Sequence, residues 1–599
     1  MNAYRVSISV VALGLLAGGL ACSGKIGADN TTHGSGGSSG SATGGTGGNN
    51  PGGSGGKPGS GGSGNPAGSG GASASGGSSG GSGNSGSGGT GGTSVPTDPV
   101  IEAKAIHRLS NIEYDNTIRD LLHTDPGLAK GFISEEAEGF DNIATALSMS
   151  PRQVEDYFNA ARTISGSVFA DTKLRGQVVT CDPATDTACA SKVINAFGAR
   201  AYRRPLTDAE VKDLQAKYDD AKKLGTDAMG ALQHVVHIML ASPPFLYRIE
   251  LDPSVSDKTA HDLSGYELAS RLSYALWSTM PDDTLFGLAK SGDLTKPDTL
   301  SAQVDRMLDD SRADMLARNF AAQWFGSKRL PDHVASATLF PAWNAKLAAS
   351  MQREMELYFA EFLRGDLSFA DYLTTDMNFV DSTLASFYGF SAVSGTAFQK
   401  VMNTTDRRQG FLGLAGFLTH TSRETRTSPI IRGKWILDAV WCLPLQVPTN
   451  LVINPLPEPD PGSGAKTVRE LMAAHRESPS CAPCHDMIDP IGLALEHFDG
   501  IGSYRETYEG SVAIDTTGSL PGGTMVDGLP ALNGALAKDP RFMSCATQKF
   551  GTFAMGMSIA EANRAQIFAK WTSGKPTLRN LIKETVRHQM FRMRRAEGQ

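Results

Sequence analysis

Five consecutive residues, Cys481-Ala482-Pro483-Cys484-His485, carry the densest chemistry in the chain. Two cysteines three positions apart, followed at once by a histidine, form the C-x-x-C-H pattern of covalent haem attachment. Both thiols of such a pair reach the vinyl edge of one porphyrin, and the adjacent imidazole stands under the iron as its proximal ligand. The pattern predicts one covalent haem c, held by Cys481 and Cys484 and ligated by His485. Two other chemistries use related residues. Zinc would recruit His497, with His475 as a fourth donor, but no histidine follows His497 at the three-to-five-residue spacing of a finger. A thioredoxin-type dithiol follows a strand and opens a helix in a βαβ unit; here a Pro- and Ser-rich loop precedes the motif. Haem satisfies every part of the pattern.

The use of such a haem turns on the sixth iron ligand. Met525, in a loop downstream, is the freest candidate. Met487 lies two residues past His485 and on a helix would point to the opposite side. Met555, Met557 and His475 are further candidates, and each methionine also fits plain core packing. A site closed by Met or His passes electrons; an open one admits peroxide or oxygen chemistry. Asp489 and Arg505 are placed to tune the haem around the ligand or at its propionates. His234 and His237 form H-x-x-H on an apolar helix with no glutamate to complete a metal site, which reads as core histidines.

The chain has 599 residues, enough for several domains, and a net charge of −7, which gives no electrostatic case for nucleic acid. Residues 1–22 read as an export signal: Arg5 supplies the positive start, and Val10 to Leu16 form an apolar run too short to anchor in a bilayer. Gly19-Leu20-Ala21-Cys22 resembles the lipobox of bacterial lipoproteins, with the leucine one place late, so Cys22 is expected to become a lipidated N-terminus. Plain secretion is the alternative. Export fits the motif, because c-type haem is attached outside the cytoplasm, where disulfides also persist. Of the 7 cysteines, one goes to lipid and two to haem. Cys181 and Cys189 bracket a short polar loop and pair; Cys442 and Cys545 then pair by elimination.

Residues 23–99 are expected to form a disordered Gly/Ser-rich tether. The stretch 31–95 contains no aromatic residue, Leu, Ile or Met; it cannot bury enough apolar surface to offset its ordering entropy, and its reach is roughly 45 Å. Helical signals then dominate. Ser110 and Glu113 make a capping box, Thr207 is an N-cap, residues 228–241 are helical and apolar, and Leu268, Leu272 and Leu276 fall four apart. The stretches 300–326 and 343–364 are amphipathic, 443–463 is a Pro-rich linker, 507–530 holds a small hairpin, and a helical block runs from Pro540 to the end. The fold class is mainly α and multi-module, with folded segments at 100–170, 181–250, 260–390, 405–506 and 507–599.

These residues support a resemblance. Cys481-x-x-Cys484-His485-x-x-Ile488-Asp489-Pro490-Ile491-Gly492, with Glu496, Asp499, Gly502 and Arg505, is similar to the haem segment of the planctomycete-type secreted multi-domain proteins of unknown function. Arg108 to Leu122, Arg200 to Thr207, Ser242 to Arg248 with Leu268 to Tyr274, and Arg426 to Trp435 resemble their other modules in order. The resemblance implies a secreted, haem-containing surface protein. The expectation is an exported c-type cytochrome, membrane-anchored by lipid, that transfers electrons to or from a partner protein or oxidises an extracellular substrate. The alternative is a surface scaffold with structural haem that binds an extracellular polymer.

Overall fold

Capping decides where the helices begin. In the computed structural model, Ser110 accepts from the Glu113 N–H while the Glu113 carboxylate accepts from the Ser110 N–H, opening Asn111–Leu122. The same reciprocal pair starts Pro151–Ala170 at Ser150, Asp208–Lys223 at Thr207 and Gly265–Trp277 at Ser264. Each satisfies backbone donors that a helix start otherwise leaves orphaned. The structure describes residues 98–595 except 126, 253–258, 391–392, 406, 446–466, 476–481 and 509–510. The export signal, Cys22, the tether up to residue 97, most of the Pro-rich linker and Cys481 lie outside the described residues.

The fold is mainly α, as the periodicities predict. Ala228–Ala241 is helical and ends where Ser242 meets Pro243. Gly265–Trp277 buries Leu268, Leu272 and Leu276. The pattern over 300–326 is served by more than one element. Pro297–Asp309 stops at Asp310, whose side chain accepts from the Arg312 N–H to start a short 3-10 turn. Beyond it Leu316–Ala321 winds as a π turn, with Asn319 buried and donating to Ser278 Oγ at 3.1 Å. No helix among the described residues is long and apolar enough to cross a membrane.

Strands among the described residues come as short antiparallel pairs. Thr517–Ser519 and Met525–Asp527 form the small hairpin expected near the C-terminal end. The other pairs join distant segments: His107–Arg108 with Tyr247–Arg248, His261–Asp262 with Met593–Arg594, and Met377–Val380 with Gln399–Met402. Two large apolar clusters lie beneath them. One gathers Leu109 to Leu246 together with Tyr274. The other runs from Phe140 to Phe591 and takes in residues of the helices Pro429–Ala439 and Ala482–Leu493.

Buried arginines fasten these segments. Arg271 makes a two-pronged pair with Glu250, at 2.6 and 2.7 Å, and its third nitrogen donates to the carbonyls of Met590, Phe591 and Met593. Arg203 donates to the carbonyls of Pro244, Phe245 and Tyr247. A planar guanidinium has five donors, so one side chain satisfies carbonyls from several strands of chain.

Candidate haem-attachment site

Residues 482–485 of the motif open a helix, Ala482–Leu493. Pro483 is tolerated there because a first-turn N–H has no intrahelical acceptor. Pro490, near the other end, removes an interior donor, and the helix ends three residues later. Its back packs on the antiparallel helix Pro429–Ala439. Two glycines set the spacing. A Cβ on Gly433 would lie 2.1 Å from the Ile488 carbonyl oxygen, and one on Gly492 would lie 1.9 Å from the Pro429 oxygen. No larger residue fits either place without moving a helix.

This packing fixes the face that carries the motif. His485 is 9% exposed and Asp489, one turn on, is 1% exposed. The His485 Nδ1–H donates to Asp489 Oδ1 at 2.9 Å. A carboxylate only accepts, so the neutral ring must carry its proton on Nδ1 and its lone pair on Nε2. Nε2 is the nitrogen that a metal takes. Cys484, half-buried beside it, is a free thiol. The remaining cysteines in the described residues are joined as Cys181–Cys189 and Cys442–Cys545, with Cα separations of 5.7 and 5.2 Å. The donor set present therefore suits covalent haem: a thiol able to form a thioether, and an imidazole in the metal-binding tautomer held by a carboxylate.

The loop after the helix is pinned from below. Arg432 and Glu496, both with fully buried side chains, approach to 3.6 Å. Glu496 also accepts from Thr427 at 3.0 Å, Arg505 at 3.0 Å and Tyr508 at 3.1 Å. Arg432 donates to the carbonyls of Leu495, Phe498 and Asp499, and burial pulls its pKa down to about 10. Arg505, predicted to tune a haem, thus has its guanidinium on Glu496 and over the Tyr508 ring. A second buried group meets the same loop. Asn378 and Tyr388 donate to Glu354 at 2.9 and 2.6 Å. Arg408 lies over the Tyr388 and Phe498 rings and donates to the carbonyls of Gly413 and Gly502. Sequence reasoning assigned no role to Glu354, Arg408, Arg432 or Glu496. For Arg432 and Glu496 the one signal was a charged residue in a mostly apolar run, while Glu354 and Arg408 stand among other charged residues.

The candidate sixth ligands are spread out. Met525 is on the hairpin strand Met525–Asp527, opposite Ser519, and is 68% exposed. The partner strand leans on the motif helix, where a Cβ on Gly518 would meet the Pro490 ring carbon at 2.8 Å. Met487 packs on the main core, Met555 is buried in it, and Met557 lies at its margin. His475 closes the helix Val468–His475. His497, the zinc candidate, donates Nδ1–H to the Arg505 carbonyl at 3.0 Å and stacks on Tyr504. His234 and His237 sit with ring centres 6.4 Å apart, and His237 lies against Phe158, where burial lowers its pKa. No group of three or more His, Cys, Asp or Glu gathers among the described residues.

A cavity of about 160 Å³ lies elsewhere, and its walls include Arg203, Arg204, Arg248, Arg271 and Glu267. Three of its arginines are spent on structure: Arg204 pairs with Glu210 through both terminal nitrogens, and Arg203 and Arg271 hold backbone carbonyls. The geometry gives that cavity less chemistry than the motif helix.

Four domain models match the chain in order. They are PSD3, protein of unknown function (DUF1587), over residues 107–170, and PSD5, protein of unknown function (DUF1595), over 189–250. PSD4, protein of unknown function (DUF1592), covers 263–390, and PSCyt3, protein of unknown function (DUF1588), covers 408–508 and so contains the motif. No curated protein and no solved structure matches the chain. The chain is a multi-domain protein that matches these four domain families of unknown function.

Proposed function

We propose that this chain is an exported c-type cytochrome, held at the membrane by a lipid on Cys22. One observation carries the reading: a buried histidine, locked by Asp489 in the metal-binding tautomer, stands next to a half-buried free thiol in a C-x-x-C-H sequence. The PSCyt type of the domain over the motif supports it. Cys481 and Cys484 would hold the porphyrin by adding their S–H bonds across its vinyl groups, a step with no net electron transfer. When bound, the haem supplies one-electron exchange with a donor or acceptor protein. The chain's own residues do the positioning. Gly433 and Gly492 let two helices meet closely, Asp489 orients the His485 ring, and the Glu496 network fixes the loop behind it.

The test is expression with a haem-attachment system, followed by a pyridine haemochrome spectrum. The wild type is expected to show one c-type haem per chain and Cys484→Ala to lose it; a colourless wild type would end the cytochrome reading. Cell fractionation tests the address: Cys22→Ala should move the protein from the membrane to the soluble exported fraction, and unchanged membrane association would refute the lipid anchor. A surface scaffold with structural haem is the second reading, favoured by the three matched domains at 107–390 that precede the motif. It expects a haem that resists rapid reduction by small donors, together with tight binding to a polymer.

A further inference from the structure

We infer that Asp489 sets a low reduction potential by holding its carboxylate charge against the proximal imidazole; the inference rests on the cytochrome reading above. A backbone carbonyl on Nδ1 would orient the ring equally well. Here the acceptor is instead a carboxylate, at 2.9 Å, from a residue 1% exposed. Burial removes the solvent screening that would mute its charge. The side chain is buried, and the helix that carries it is clamped where Gly433 and Gly492 abut the opposing backbone. A carboxylate accepting Nδ1–H draws the proton toward itself and gives Nε2 imidazolate character, which raises ligand basicity. A more basic ligand stabilises the ferric over the ferrous ion. Asp489 is thus a positioning residue whose charge, and not only its hydrogen bond, acts at the iron.

The test compares exported holoprotein of the wild type with Asp489→Asn and Asp486→Asn by potentiometric titration. Asparagine keeps an oxygen acceptor for Nδ1–H and removes the charge. Asp486, exposed on the same helix, is the control for helix charge in general. Asp489→Asn should favour the reduced form at least tenfold, a rise of 59 mV or more for one electron, and Asp486→Asn should shift the potential by much less. Equal shifts in both variants, or no shift in Asp489→Asn, overturn the inference while leaving the haem in place. The wild type alone gives a second readout: dithionite should reduce it fully and ascorbate should not. Full reduction by ascorbate overturns the low-potential assignment even if the Asn variant fails to fold. A wild type without pigment instead removes the cytochrome reading itself.

Discussion

Glu354 sits in an environment far from what its type suggests. Burial raises its carboxyl from 4.5 to about 7, against the pull of the donors Tyr388 and Asn378. A raised carboxyl pKa means that the folded state holds a proton the unfolded chain has released. Its stabilising effect is full below about 4.5 and is lost as pH rises toward 7. A 2.5-unit difference between those two values corresponds to about 3 kcal/mol. Buried histidines work the other way. Burial lowers His420 from 6.5 to about 4, so its contribution is lost as pH falls through that window. A difference measurement separates the two. Glu354→Gln removes only the carboxyl titration, so its stability relative to wild type should climb by up to ~3 kcal/mol from pH 4.5 to 7.5 in urea unfolding. A constant difference across that range would show that the carboxyl does not titrate there.

At the scale of elements, the pair formed by Pro429–Ala439 and Ala482–Leu493 is the frame of the candidate site. It depends on backbone meeting backbone. Adding one methyl at Gly492 puts carbon 1.9 Å from the Pro429 oxygen, and no side chain is present to yield. Gly492→Ala is expected to cost about 1–3 kcal/mol or more as the helices part. Because His485 rides on the displaced helix, the variant should also take up less haem under equal expression, as read by haemochrome yield and thermal melting. A variant with wild-type melting and wild-type haem content would show that the close approach is not needed. Pro490 and Gly518 make a similar contact on the other side, which is how the hairpin comes to lie against the motif helix.

For the whole molecule, the question is what keeps a chain of many helices from coming apart at its seams. The answer among the described residues is that the C-terminal segment is tied inward. Met593–Arg594 pairs with His261–Asp262, and Arg271 reaches both Glu250 and the carbonyls of the last helical turn. Burial pushes the Glu250 carboxyl up, but Arg271 and Lys104 more than compensate and hold it well below the usual carboxylate range. Removing one partner leaves a buried charge behind, so Arg271→Ala is expected to cost roughly 3–5 kcal/mol. Limited proteolysis should show the C-terminal helices released first. Arg271→Ala with unchanged unfolding and cleavage patterns would refute the tie. The Cys442–Cys545 disulfide adds a covalent seam, closing a 103-residue separation that contains the whole motif segment.

The sequence by itself determined what depends on neighbours within four positions. Ser110 with Glu113, Thr207 as an N-cap, the leucines at 268, 272 and 276, and a hairpin within residues 507–530 were all legible, because caps, helical stripes and tight turns are local. The C-x-x-C-H motif was legible for the same reason, and so was Asp489 one turn beyond it. What only the tertiary structure decided is the set of contacts made across long stretches of chain. Nothing in the spacing of Arg432 and Glu496, or of Glu354, Tyr388 and Arg408, says that they meet, since such pairs are chosen by how helices pack and which carbonyls are left without donors. The break at Asp310 and the π turn after it were likewise hidden, because an amphipathic stripe reports which face is buried and not whether one continuous helix carries it.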